Sequence, residues 1–257
     1  MKINEIFILS FFLLFPFLLH CQEETTTTTN IISAEEIMKR VEDHLIVDIN
    51  FEMTITIENY KNNKIEETII MKGIIENGKI TSLTYIKPDN MKNKKIIIKG
   101  NEMWIVIPNT KNPIPISPSQ KLMGGISFGD ITSINYYGDY NPRLIDIQST
   151  DGKNSEGKTE IISNCYYLEL NAKRTGSSYQ KINMWVDPID FIPVKSEFFS
   201  LSGKKMLRAY YSSKEEWNGK LTFTEIYLFD LINTSRYSKV KYSNFKEVSQ
   251  STTIDGQ

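Results

Sequence analysis

The chain has 257 residues, 30 Lys and Arg against 31 Asp and Glu, and a formal net charge of -1. Charge this balanced, with both signs interspersed, leaves no basic footprint for nucleic acid, so no nucleic-acid partner is expected. With 2 cysteines and 2 histidines the chain has neither a disulfide framework nor a metal-ligand cluster, and no cofactor or metal is expected.

Taken in chain order, the first segment carries Lys2, an apolar run from Ile6 to Leu19, and then Cys21. A run of roughly 14 apolar residues fits a secretory h-region and is short for a bilayer span. Leu18-Leu19-His20-Cys21 resembles a lipobox ending in the cysteine that is acylated, with His20 where a small residue usually stands. Residues 1–21 therefore read as a signal peptide of the lipoprotein type, with lipidation at Cys21. Soluble secretion and an uncleaved anchor are the alternatives. The tract Thr25 to Thr29 lies within a polar tether, 22–32, too poor in apolar surface to fold. The folded domain is expected over 33–248 and a flexible tail over 249–257.

Ser33 and Glu36 form a capping box at the start of a helix from about Ala34 to Leu45, whose apolar stripe includes Ile37 and Val41. After Asp48 the period changes to two. Phe51, Met53, Ile55 and Ile57 face one way, and Glu52, Thr54, Thr56 and Glu58 the other. Strands follow at Thr68 to Ile75, Lys79 to Ile86, Lys95 to Lys99 and Glu102 to Pro108, with turns at Glu76-Asn77-Gly78 and Gly100-Asn101. Pro108, Pro113, Pro115 and Pro118 keep the next segment, to Gly129, out of any central strand. A loop or short helix is expected there, at Ser119 to Met123 or Gly129 to Ser133. The strand pattern resumes at Leu144 to Ser149, Thr159 to Ala172, Tyr179 to Val186, Pro193 to Leu201, Met206 to Lys214 and Lys220 to Asp230. Some 10–11 short strands at hairpin spacing imply a mainly β, antiparallel meander with few helices.

Two motifs suggest chemistry and fail in context. Gly125-Ile126-Ser127-Phe128-Gly129 matches a nucleophile elbow, which needs a later histidine, but both histidines, His20 and His44, lie upstream. Gly152-Lys153-Asn154-Ser155-Glu156-Gly157-Lys158-Thr159 matches a phosphate-binding loop, which needs a helix right after it; a strand pattern follows instead. The second motif reads as a polar hairpin loop. No catalytic residue is assigned, and the chain does not read as an enzyme.

Met103-Trp104-Ile105-Val106-Ile107-Pro108, Ser119-Gln120-Lys121-Leu122-Met123 and Ser127-Phe128-Gly129-Asp130-Ile131 together resemble the outer-membrane lipoprotein-sorting proteins of the LolA-like family. Met184-Trp185-Val186-Asp187 with Phe191-Ile192-Pro193-Val194-Lys195 and Gly203-Lys204 is similar to that family's paired strands. The resemblance implies a curved antiparallel half-barrel with the N-terminal and loop helices on its concave face. It implies a periplasmic or outer-membrane carrier or acceptor of lipoprotein acyl chains or other lipids, served by an inner-membrane transporter and without catalysis. A Cys21 anchor in the membrane suits a tethered acceptor better than a diffusing carrier. The faces Phe51/Met53/Ile55/Ile57, Met103/Ile105/Ile107 and Ile182/Met184/Val186 are the candidate acyl-binding lining, methionine being able to fit varied chains. A lipid-anchored interaction module or accessory subunit of an export complex, with a closed core, is the alternative.

Overall fold

The structure is a computed structural model that describes residues 32–45, 50–77, 79–100, 102–117, 126–131, 136–175 and 177–248. The expected leader, Cys21, nearly all of the tether, the tail after residue 248 and the short helix at 119–123 lie outside the described residues.

Helix α1 (Ala34–Leu45) begins where Ser33 caps it: the Glu36 amide donates to Ser33 Oγ at 3.1 Å. Only half of the capping box forms, because the Glu36 carboxylate turns to Arg40 at 2.8 Å instead of back to the Ser33 amide. Strands β1 (Phe51–Lys61), β2 (Lys64–Glu76), β3 (Lys79–Lys87), β4 (Lys95–Lys99), β5 (Glu102–Val106) and β6 (Ile114–Ile116) form one antiparallel meander. The short helices α2 (Phe128–Ile131) and α3 (Tyr136–Asp139) lead into a second one. Its strands are β7 (Tyr140–Lys153), β8 (Thr159–Ala172), β9 (Lys181–Val186), β10 (Pro193–Phe199), β11 (Lys205–Trp217), β12 (Lys220–Asp230) and β13 (Arg236–Glu247).

Among the described residues, pairing of β1 with β13 joins the two meanders into a single sheet of 13 strands, ordered from β6 through β1 and β13 to β7. The sheet is open and curved and does not close into a barrel. Two strands exceed the number read from the sequence. One is β6, which holds Pro115 and lies at the sheet edge, where a missing amide donor costs nothing. The other is β13, the strand that joins the halves. Tight turns carry positive φ where the chain reverses, at Asn62 and Asn63 (51° and 59°) and at Asn218 and Gly219 (51° and 73°).

Every strand of the main ladder sends alternate side chains to one inner face. Ile55 pairs with Met71 and Tyr242, and Ile57 with Ile69 and Val240. In the second meander Ser196 pairs with Ala209 and Met184, and Met184 with Leu168. Against this face α1 buries Ile37, Met38 and Val41 completely. Burial of three such side chains is worth roughly 5–9 kcal/mol before the entropy of ordering the helix is subtracted.

Candidate functional site

The inner face is the site that the sequence points to, and the structure brings the candidate lining residues, Ile107 excepted, onto it or against it. Ile55, Ile57, Ile182, Met184 and Val186 are fully buried, and Phe51, Met53 and Met103 nearly so, all within one core cluster. Ile105 is partly exposed and packs against that cluster. Ile107 does not join it. Strand β5 ends at Val106, and Ile107 begins a turn in which its carbonyl accepts from the Thr110 hydroxyl at 2.7 Å.

Five methionines, Met38, Met53, Met71, Met103 and Met184, share this core. Their unbranched, polarizable side chains repack at low cost when the volume around them changes.

Among the described residues, α1 and the segments of α2 and α3 lie over the inner face. Ile126 and Tyr136 are buried in the core from these segments. Polar contacts hold them at their margins. Asp130 accepts from the Ser127 amide at 2.7 Å and from the Tyr179 hydroxyl at 2.7 Å. Glu42 of α1 accepts from the Tyr137 amide at 2.6 Å, and Asp139 pairs with Arg174 at 2.7 Å. The hydroxyls of Tyr136 and Tyr211 lie 3.3 Å apart. Burial pushes the Tyr136, Tyr179 and Tyr211 phenols above the ordinary range and Tyr140 up to about 12, so all four stay neutral at physiological pH. Burial also raises the Glu42 carboxyl, with the Tyr137 amide working against that rise.

One group of residues at this face escaped the sequence reading. Phe51 contacts the Trp217 ring at 4.7 Å, and Trp217 contacts Phe245 at 5.5 Å. Phe223 packs against Tyr211 at 4.9 Å and Tyr242 at 6.3 Å. Register places Phe51, Phe245, Phe223 and Trp217 at one end of β1, β13, β12 and β11, a rim of rings that remain partly exposed except for Phe51. A Trp-Asn-Gly turn signal stands in the sequence at Trp217, but the ring cluster depends on β13, whose alternation is polar. A small cavity of about 10 Å³, bounded by Ile126, Leu207, Leu228 and Ser238 among others, has room for about one water.

Neither chemical motif forms its site. Ser127 precedes α2, and its amide is taken by Asp130. In the loop 152–159, Asn154 Oδ1 accepts from the amides of Glu156 and Lys158 at 3.0 Å each, occupying donors that a phosphate would need. Thr159 then opens a strand, with no helix dipole behind the loop. Among the described residues no group of three or more His, Cys, Asp or Glu is placed to hold a metal, and no described helix is long and apolar enough to cross a membrane.

Among solved structures, the chain is similar to the LolA superfamily protein NE2245 from Nitrosomonas europaea, with a TM-score of 0.72 and 25% identity over 85% of this chain and 94% of that one. A domain from Vibrio parahaemolyticus described as an outer membrane lipoprotein-sorting protein aligns with a TM-score of 0.66 and 17% identity, covering 84% of this chain and 93% of its own. A DUF1329 family protein from Desulfovibrio piger aligns with a TM-score of 0.67 and 15% identity over 84% and 92%. No curated protein matches the sequence. Residues 78–252 match the model of a family whose description reads "Uncharacterized protein". The chain belongs to that family, and its fold is LolA-like.

Proposed function

We propose that the protein is a cell-envelope carrier or acceptor of lipoproteins or other lipids, which holds acyl chains against the inner face of the sheet and performs no catalysis. The observation that carries this reading is the construction of that face. A methionine-rich apolar surface spans an open, curved sheet, and its cover is one amphipathic helix and a short segment fastened by a handful of side-chain hydrogen bonds. Moving such a cover exposes a continuous apolar trough without breaking a β-ladder. Transfer of each methylene from water into the trough is worth about 0.8 kcal/mol, so binding needs area and shape rather than reactive groups. The partly exposed rings of Trp217, Phe223 and Phe245 form the natural mouth. The LolA superfamily likeness supports the same reading. Export, lipidation at Cys21, a periplasmic or outer-membrane location and delivery by an inner-membrane transporter complete the proposal.

Native mass spectrometry with lipid extraction, on protein exported to the periplasm, tests it. An acylated species should co-purify and be lost in Ile55→Glu or Met184→Glu variants that remain folded by circular dichroism. The complete burial of Ile55, Ile57, Ile182, Met184 and Val186 also suits a closed core. A folded protein that is empty and takes up no added acyl lipid would establish that second reading, a non-carrier interaction module.

A further inference from the structure

Polar groups buried in the inner face are few, and one set of them is poorly bonded. Ser238 donates to Asn59 at 2.6 Å, a well-made pair. Ser196 of β10 is different. It is completely buried between Met184 and Ala209, its ladder partners on β9 and β11, and its hydroxyl has a single contact, accepting from the Tyr211 hydroxyl at 3.4 Å. The Tyr211 hydroxyl in turn lies 3.3 Å from that of Tyr136, which belongs to the cover. Both separations exceed the ~2.5–3.0 Å of a good O–H···O bond. Three O–H groups share two contacts, so in any arrangement one proton has no acceptor. The three hydroxyls stand just inside the mouth: Phe223 of the aromatic rim packs on the Tyr211 ring at 4.9 Å, and Met184 of the apolar floor lies beside Ser196.

We propose that Ser196 and Tyr211 seat the carbonyl oxygen of an acyl ester, which takes the place of the Tyr136 hydroxyl when the cover moves. This assignment rests on the carrier reading and adds to it a polar anchor and a ligand class. Lifting the cover withdraws Tyr136 and leaves two hydroxyl donors in an apolar trough, where a hydrocarbon chain alone would bury them unsatisfied. An ester carbonyl has two lone pairs and no donor, so it accepts from both. Burial holds the Tyr211 phenol above its ordinary range, and it keeps the proton it must donate. A carboxylate fits the seat less well. Among the described residues the buried charges are Lys195, Glu197 and Glu225, each already paired with an opposite charge, and none is free to receive an anion. An ester held at Tyr211 puts its head group among the rings of Phe223, Trp217 and Phe245 and sends its chain along Met184 and Leu168.

Two lipids that differ only in their carbonyls test it: a diacyl phosphatidylcholine and the dialkyl ether analogue with chains of equal length. Dissociation constants are measured by native mass spectrometry on the full exported chain, for the wild type, Ser196→Ala and Tyr211→Phe, substitutions that each remove one hydroxyl and little volume. The wild type should hold the ester roughly tenfold more tightly than the ether, the size of one to two net hydrogen bonds, and each variant should bring the two lipids toward equality by weakening the ester alone. The lipid-free Ser196→Ala protein should melt no lower than the wild type, since it loses a poorly bonded buried hydroxyl. Equal affinity for ester and ether in the wild type, an ester preference that both variants keep, or a lowered melting temperature in Ser196→Ala would overturn the seat and leave the carrier reading standing. Uptake of neither lipid would overturn the carrier reading and the seat with it.

Discussion

Asp151 is the side chain whose surroundings are most specific. On the outer face its carboxylate meets the Lys195 ammonium at 2.5 Å and accepts from the Tyr210 hydroxyl, while Lys195 lies 4.8 Å over the Trp185 ring. Burial alone would raise its pKa, but the Lys195 and Tyr210 hydrogen bonds hold the carboxyl below the usual Asp range. A depressed carboxylate contributes stability that is complete above the unfolded value, about 3.9, and lost as pH falls through the lower folded value. Asp151→Asn should therefore be less stable than the wild type at neutral pH, and the gap should narrow as pH drops below about 4. Urea midpoints measured for both proteins across that range check this; a gap independent of pH would mean that the ion pair is not its source. None of this arrangement was legible in the sequence. Asp151 stands just before what looks like a phosphate-loop motif, and its partners lie 44 and 59 residues away.

At the scale of elements, the packing of the β7–β8 hairpin tip is the least expected feature. This edge hairpin folds its tip over the outer face, with Lys153 Nζ among the rings of Tyr210, Tyr227 and Phe229 at 5.8, 5.8 and 6.0 Å. The tip closes at Gly157, where φ is +75° and a Cβ would stand 2.6 Å from Tyr227 Oη. Gly157→Ala should then cost about 1–2 kcal/mol from the left-handed backbone alone, with more from the displaced ring, seen as a lowered urea midpoint. The sequence did reveal this segment as a hairpin and did reveal the inner faces of β1, β5 and β9, because their aliphatic residues alternate. It hid β13, where the inward residues are Ser238, Val240 and Tyr242 and the hydrophobic period disappears. With β13 hidden, the aromatic rim could not be assembled either. The cover segment makes its own prediction. Tyr179→Phe removes one hydrogen bond to the Asp130 carboxylate, worth roughly 1.5–3 kcal/mol, so amides of residues 126–131 should exchange faster while those of β1 and β2 do not. Equal acceleration throughout would show global destabilisation rather than a local fastening.

For the molecule as a whole, the sheet's openness is its most consequential property. A closed barrel would fix its interior volume, whereas here the sheet is open at β6 and β7, and among the described residues the inner face depends on α1 and a short segment for its cover. The apolar surface that stabilises the empty protein is thus the surface proposed to receive acyl chains, and the two uses compete. Displacing the cover gives up the burial of Ile37, Met38 and Val41, so a bound chain must replace at least that much contact, which sets a minimum length for a ligand. At about 0.8 kcal/mol per methylene, roughly 6–11 methylenes offset the burial of three such side chains. Long-chain acyl lipids should consequently raise the melting temperature, with a gain near 2.7 kcal/mol at a hundredfold excess over the dissociation constant, and chains much shorter than about eight carbons should not. A thermal-shift series over chain length checks this. A stabilisation that grows smoothly from the shortest chain would place the lipid on a surface already open, and the cover would then have no part in binding.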